Sequence, residues 1–461
     1  MTPLAHLALL GFPLLALALF SFLRPRRAVL AGYVLGFLLL PEARYTFAGL
    51  PDYNKFVAIT VPVLLGVALF DHARLARLRL QWFDVPILAW CIVPVLSSLA
   101  NGLGLYDGMS SALTQTVGWG LPYLMGRLYL TDARALREAG VAVVLGGLLY
   151  VPLCLFELRM SPQLHNTLYG FHQHSFAQHT RGDGYRPMVF LQHALAVSMW
   201  MALASLVAFA LWHTGAQRKL LGVPMLAVAG VLAVVTYLSQ STGPMLLLLL
   251  AVGVCFALPS PLGRMTLAAL ILAVPVYIFT RALGLATGDW LLAMLEPIAH
   301  PDRIASLAQR LDAENALLGR AMERPWLGWA GWGRYRVDAE GQEVQLLDSM
   351  WIITLGRYGI IGIAAYVSLL LLPTVLLWRR ARAGFARLVG AGPAVALTLA
   401  STFYLIDKMV NAMPNLVILM IAGGLTGYLA AVQNVQRAAT RRRARAPAHS
   451  GGLPRPVAPS R

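Results

Sequence analysis

The chain has 461 residues, with 37 Lys and Arg against 20 Asp and Glu, and a formal net charge of +17. At 58% hydrophobic and 12% charged residues, with a mean hydropathy of +0.66, it is too apolar for a string of soluble domains and has the composition of a polytopic membrane protein built from helices about 20 residues long. The basic residues stand in short clusters between apolar runs, as the positive-inside rule requires, so a nucleic-acid surface is not expected; Cys91, Cys154 and Cys255 all lie in apolar runs and read as buried side chains rather than disulfides or metal ligands.

Segment one, 3–22, precedes Arg24, Arg26 and Arg27, which places that junction inside and the N-terminus outside; it lacks the basic lead of a cleavable signal. Segment two, 28–41, is short for a crossing unless it extends through the arginines. Segment three, 55–70, returns to Arg74, Arg77 and Arg79. Segments four, 85–100, and five, 110–126, flank the turn Asn101-Gly102 and lead to Arg127, Arg134 and Arg137. Segment six, 138–156, opens into a polar stretch, and segment seven, 188–212, returns to Arg218 and Lys219. Segments eight, 220–238, and nine, 244–259, are joined by the turn Ser239-Gln240-Ser241-Thr242-Gly243. Segment ten, 265–285, follows Arg264 and ends in the long loop 286–349. Segment eleven, 350–377, comes back to Arg379, Arg380, Arg382 and Arg387; twelve, 389–405, and thirteen, 411–432, complete the membrane part.

The expected architecture is therefore an all-α polytopic membrane protein of about 12 to 13 transmembrane helices, N-terminus out and C-terminus in. It divides into helices one to ten within 1–285, including an outer loop at 157–187; a large outer helical loop at 286–349; the last helices within 350–432; and a disordered basic inner tail at 433–461, close to anionic lipid.

Two outer stretches carry the polar chemistry. Residues 157–192 hold His165, His172, His174, His179, Arg181, Asp183 and Arg186, which are costly next to a membrane unless they face water, headgroups or a cavity. The histidines have no thiolate among them and no carboxylate close by except Asp183, so a metal site is not expected. The loop 286–349 carries ten of the 20 acidic residues and six arginines. Within it, 303–324 has Ile304, Leu307, Leu311, Leu318 and Met322 at helical spacing and should stop before Pro325. Trp326, Trp329 and Trp332 follow in a Gly-rich turn. They suit either membrane anchoring or contact with sugar rings or lipid, and Arg324, Arg334 and Arg336 beside them favour an anionic ligand. No Walker loop, dinucleotide-binding loop, HExxH, Cys-x-x-Cys or Gly-x-Ser-x-Gly is present.

The order of GYRPMVF before a span, SQSTG between spans, QRLDAENALLGRAMERPWLGWAGWGRY in the long loop and DSMWIITLGRYGIIG entering the next span resembles the O-antigen ligase and Wzy-type polymerase superfamily of bacterial inner-membrane glycosyltransferases, over roughly 20–432. The resemblance implies a GT-C-like fold that transfers a glycan from undecaprenyl diphosphate to a saccharide acceptor at the periplasmic face, with no cofactor and no essential metal. By position, Arg186 (less directly Arg181) and Arg310 would grip the diphosphate, and a guanidinium fork suits a pyrophosphate leaving group. Arg281 is a further candidate for a donor phosphate. Relatives carry a His-Asn pair before segment eleven where this chain has Asp348-Ser349, so the base is Asp348 or one of His172, His174 and His179. Arg357 also stands where a carboxylate is common. Asp407 and Lys408 either pair with a core charge or form a short outer loop.

The implied partners are a lipid-diphosphate-linked oligosaccharide, a glycan acceptor and membrane lipids. The leading function is polymerisation of an exopolysaccharide or O-antigen. The alternatives are ligation to a lipid A-core acceptor, a polysaccharide or lipid flippase, and a non-catalytic assembly protein. A flippase would call for ion-coupling carboxylates and internal symmetry, of which the sequence shows little.

Overall fold

The computed structural model describes residues 1–47, 49–175, 179–181, 184–297, 301–337, 341, 343, 348–381 and 391–445. Asp183, Arg382, Arg387 and the tail beyond 445 lie outside them. In order, the helices are α1 (Pro3–Phe22), α2 (Pro25–Leu39), α3 (Lys55–Phe70), α4 (His72–Leu75), α5 (Val85–Ala100), α6 (Gly104–Gln115), α7 (Leu121–Tyr129), α8 (Ala133–Met160), α9 (Leu164–Tyr169), α10 (Ala194–His213), α11 (Met225–Leu238), α12 (Thr242–Ala257), α13 (Pro261–Ala282), α14 (Asp289–Leu295), α15 (Pro301–Met322), α16 (Met350–Ala381), α17 (Gly392–Asp407) and α18 (Leu416–Arg445). Among the described residues, three antiparallel two-stranded hairpins interrupt them: β1 (Arg44–Phe47) with β2 (Leu50–Asn54), β3 (Thr180–Arg181) with β4 (Gly184–Tyr185), and β5 (Lys219–Leu220) with β6 (Val223–Pro224).

Helix starts follow local chemistry. The Asn54 side chain accepts from the amides of Phe56 and Val57 to open α3, and Asp132 accepts from Ala135 to open α8. Pro25 and Pro261 occupy first-turn positions where no amide donor is needed. Helix α10 is apolar all round and buried on every side among α8, α11, α12 and α17, as such a helix must be.

Among the described residues, six helices are long and apolar enough to cross a membrane: Pro3–Phe22, Trp82–Ala100, Ala133–Met160, Ala194–His213, Leu262–Ala282 and Met350–Ala381. The shorter apolar helices are Lys55–Phe70, Met225–Leu238, Thr242–Ala257, Gly392–Asp407 and Leu416–Val432. The structure is thus an all-α bundle of membrane type, but not every expected span is a full-length helix. Residues 188–193 stay non-helical, so segment seven begins at Ala194; the β5–β6 hairpin takes the start of segment eight; and segment five is α6 and α7 joined through a π-helical turn, Thr116–Gly120. The basic tail departs from expectation too, because helical backbone continues to Arg445.

Polar contacts between segments gather at two opposite ends of the helices. At one, here the loop end, Thr2 meets Leu168 and Tyr169, Glu42 meets Lys55 and His165, Arg186 meets Ser241, Arg324 meets Asn101, and Met350 meets Lys408. At the other, Arg26 pairs with Glu138, Arg127 with Asp84, and Tyr129 with Asp71. This second end also holds Arg74, Arg77, Arg79 and Arg134.

Candidate functional site

The loop end is organised by Glu157, a buried carboxylate in the last turn of α8. Its Oε1 accepts from the Leu164 amide at 3.0 Å and its Oε2 from the amides of Met188 and Val189, both at 2.8 Å. One side chain therefore fixes both ends of the polar stretch. His165 adds a latch: its Nδ1–H donates to the Phe171 carbonyl at 2.8 Å, which leaves Nε2 to accept from the Glu42 amide at 3.3 Å. Burial lowers its pKa to about 4, so it is a neutral structural group at neutral pH.

The β3–β4 hairpin pairs Thr180 with Tyr185 and Arg181 with Gly184, and the Arg186 amide extends it by donating to the His179 carbonyl at 2.8 Å. Only the backbone of Arg181 falls within the described structure. Arg186, 5% exposed, then turns inward, and its Nη2 donates to Ser241 Oγ at 3.0 Å. Two motifs distant in sequence, GYRPM and SQSTG, thereby meet.

Around Arg186 lie the histidines. The rings of His172 and His179 are 5.7 Å apart, and His174 packs edge-on against His193 at 4.9 Å. His193 caps α10, its Nδ1 accepting from the Leu195 amide at 3.0 Å, which assigns the proton of the neutral ring to Nε2. Burial, then the charges of Arg186, His174, Arg310 and His179, push its pKa down to about 3. Burial, then His172, His174 and Arg186, push His179 down to about 4. Both rings are neutral at pH 7. Arg186 and Arg310, from separate loops, thus act on one histidine.

Arg310 lies on α15 and pairs with Asp348 at 3.2 Å, both side chains partly open to solvent. The structure places Arg281 elsewhere. It is buried on α13, with Nη2 on Glu314 Oε2 at 3.0 Å and Nη1 on the carbonyls of Ala286 and Thr287. Glu314 also accepts from Tyr277 and from Trp351 Nε1, each at 3.1 Å. This sealed cluster clamps α15 to α13 and α16, so Arg281 holds the loop that carries Arg310.

The tryptophan turn forms a second feature. Helix α16 breaks at Gly359 (φ 63°, ψ −161°), and the turn docks into the break: Trp329 N donates to Gly356 O at 2.8 Å, Ala330 N to Arg357 O at 2.9 Å, and Ile360 N to Pro325 O at 2.7 Å. A Cβ on Gly359 would lie 2.3 Å from the Trp326 carbonyl carbon, and one on Gly328 (φ 66°) 2.5 Å from that of Arg357, so both positions need glycine. Ser97 and Asn101 at the end of α5 bind the Leu327 and Gly328 carbonyls, and Arg324 and Arg334 bind Asn101 in return. Trp329 is buried beneath Arg320, whose guanidinium lies 3.4 Å from the ring centre, with Arg324 and Arg334 at its rim. Trp326 and Trp332 stay exposed.

No protein-family model matches the chain, and no curated protein is significantly similar to it.

Among the described residues, no three His, Cys, Asp or Glu side chains converge as metal ligands. The structure brings together Arg186, Arg310, Asp348, His172, His174 and His179, and leaves Arg281 and the three tryptophans outside that group. Sequence reading passed over His193, Ser241 and Glu157. His193 carried a usable signal, because a polar side chain directly before an apolar helix is a cap candidate. The amides that gather around Glu157 carried none.

Proposed function

We propose that the protein is a membrane glycosyltransferase of the O-antigen ligase and Wzy-type polymerase kind. It transfers a saccharide from undecaprenyl diphosphate to a sugar hydroxyl at the loop end, which faces the periplasm in a bacterial inner membrane. The observation that carries this reading is that Arg186, hydrogen-bonded to Ser241, and Arg310, paired with Asp348, stand at one end of the bundle, where the charges of both lower the His193 pKa. The two guanidinia supply positive charge that does not depend on pH in the working range, as neutralising a leaving diphosphate requires.

The same geometry suggests how the base is released. Arg310 holds Asp348 at 3.2 Å. A diphosphate competes for Arg310 and frees the carboxylate to accept the acceptor hydroxyl's proton, so donor binding switches on the base. His179 is a weak base at its lowered pKa, and a bound diphosphate raises that pKa by attracting imidazolium. The Nε2 proton of His193 suits hydrogen bonding to a diphosphate oxygen rather than proton abstraction. One in-line displacement by the hydroxyl inverts the anomeric carbon. Twelve to thirteen membrane passages, with the five shorter apolar helices, α2 and the α6–α7 pair counted as crossings beside the six long helices, complete the proposed topology.

Buried carboxylates elsewhere are engaged in structure, Asp84 with Arg127, Glu314 with Arg281 and Asp407 with Lys408, which favours an enzyme over an ion-coupled transporter. The test is transfer by membranes carrying Arg186→Ala, Arg310→Ala or Asp348→Asn. Both arginine variants should insert normally and make no product, and Asp348→Asn should fall at least about a hundredfold. Normal product from both arginine variants would falsify the diphosphate clamp. Wild-type turnover by Asp348→Asn moves the base to the histidines.

A further inference from the structure

A cavity of about 570 Å³ between α2 and α8 and a basic one of about 640 Å³ beside Arg77 and Arg79 lie at the end opposite the site. A third, of about 430 Å³, is of another kind. It lies where the tryptophan turn meets the break in α16 and is lined by Trp332, Gly333, Tyr335, Arg336, Glu343 and Arg357. Its volume falls within the roughly 300–1,000 Å³ of small-molecule sites.

Its walls supply three kinds of contact. Trp332 is 79% exposed and is held at φ 63°, a left-handed backbone that a bulky residue adopts at a cost. Strain that holds an aromatic face out in water has no packing benefit in the chain itself and suits stacking on the C–H face of a sugar ring. Arg336 and Arg357 supply guanidinium forks, Arg357 beside the Tyr358 ring at 5.1 Å and Arg336 within 3.5 Å of the Tyr335 hydroxyl. Glu343 is brought to the same cavity by its bridge to Val337 and supplies an acceptor for hydroxyl protons.

This combination discriminates between ligands. A bare phosphate or diphosphate gains from the arginines but is repelled by Glu343 and has nothing to lay against Trp332. A neutral sugar uses Trp332 and Glu343 but leaves two arginines without an anionic partner. A sugar ring bearing a carboxylate satisfies all three. We propose that this cavity is a subsite for an acidic saccharide unit, such as a uronate, in the glycan that the enzyme handles. The proposal rests on the glycosyltransferase reading and narrows its substrate to an acidic polysaccharide.

The test is binding of a galacturonic acid disaccharide, its dimethyl ester and inorganic pyrophosphate to the full chain in phosphatidylcholine nanodiscs, measured by calorimetry. An Arg186→Ala background keeps binding separate from turnover. The acid should bind about tenfold more tightly than the ester, the effect of a charge-assisted hydrogen bond. Arg336→Gln and Arg357→Gln should each bring that ratio close to one, Arg357→Lys should retain part of it, and Trp332→Ala should weaken acid and ester alike. Equal binding of acid and ester, a preference that survives the Arg336→Gln/Arg357→Gln double variant, or displacement of the disaccharide by equimolar pyrophosphate would each overturn the assignment. Absence of transfer by the wild-type protein would instead count against the enzyme reading, so the two can fail separately.

Discussion

Two arginine–carboxylate pairs, each with one partner on α15, meet that helix about one turn apart, at Arg310 and Glu314, and do different work. Arg281–Glu314 is sealed, with 2% and 3% of its side-chain surfaces exposed, and both partners have further hydrogen bonds to Ala286, Thr287, Tyr277 and Trp351. Arg310–Asp348 is a single contact with 20% and 31% exposure, at the edge of the histidine cluster. A ligand can compete for the second pair and not for the first. Arginine identity and loop position alone do not mark a ligand-binding residue; what separates the two is how much of the guanidinium the chain's own acceptors already occupy.

Loss of the sealed pair should have the larger effect on stability. Glu314→Ala or Arg281→Ala leaves a buried charge without its partner and should cost about 3–5 kcal/mol. Arg310→Ala should change stability by about 1 kcal/mol or less while abolishing transfer. Thermal unfolding in detergent, measured beside a transfer assay, checks both; equal destabilisation by Arg310→Ala and Arg281→Ala would erase the distinction. A smaller effect sharpens it. Glu157→Ala strands the amides of Leu164, Met188 and Val189 and should cost about 2 kcal/mol or more, with loss of transfer because Arg186 follows that loop.

The smallest effect is a pH dependence. The pKa values of His193 and His179, about 3 and about 4, are depressed below the ordinary 6.5, so the unfolded chain binds more protons than the folded one between those values. Stability should be at its plateau above about pH 6.5 and fall as pH drops toward 4. The His193→Asn variant, which keeps a capping side chain, should show a shallower fall. An unchanged slope would place the linkage at other groups.

Much of the fold was legible because its signals are local. The limits of α1, α3 and α5 follow from apolar runs closed by arginines, by Asp71 or by the Asn101-Gly102 turn, and α15 from its periodic apolar face. What escaped depends on partners far away in the chain. The break in α16 is set by amides of Trp329 and Ala330 that take the carbonyls of Gly356 and Arg357, and the only local hint was Gly359 within LGRYGIIG. The apolar run 188–192 looks like helix, yet Glu157 claims the Met188 and Val189 amides and Gln173 binds the carbonyls of Val189 and Leu191. Of the site, Arg186 and Arg310 could be named from motif order. The sealed state of Arg281 could not, because Glu314 is one of ten acidic residues in its loop and nothing local selects it.

In the proposed function the loop end transfers glycans, with Arg186 and Arg310 as the diphosphate clamp. Its most direct test is incubation of the purified protein with an undecaprenyl-diphosphate-linked repeat unit, followed by mass analysis of the lipid-linked products. Chains lengthened by whole repeats, with release of undecaprenyl diphosphate and loss of both in Arg186→Ala and Arg310→Ala, are the predicted result. Unaltered repeat unit with the correctly folded wild-type protein, or lengthening that persists in both variants, would contradict it.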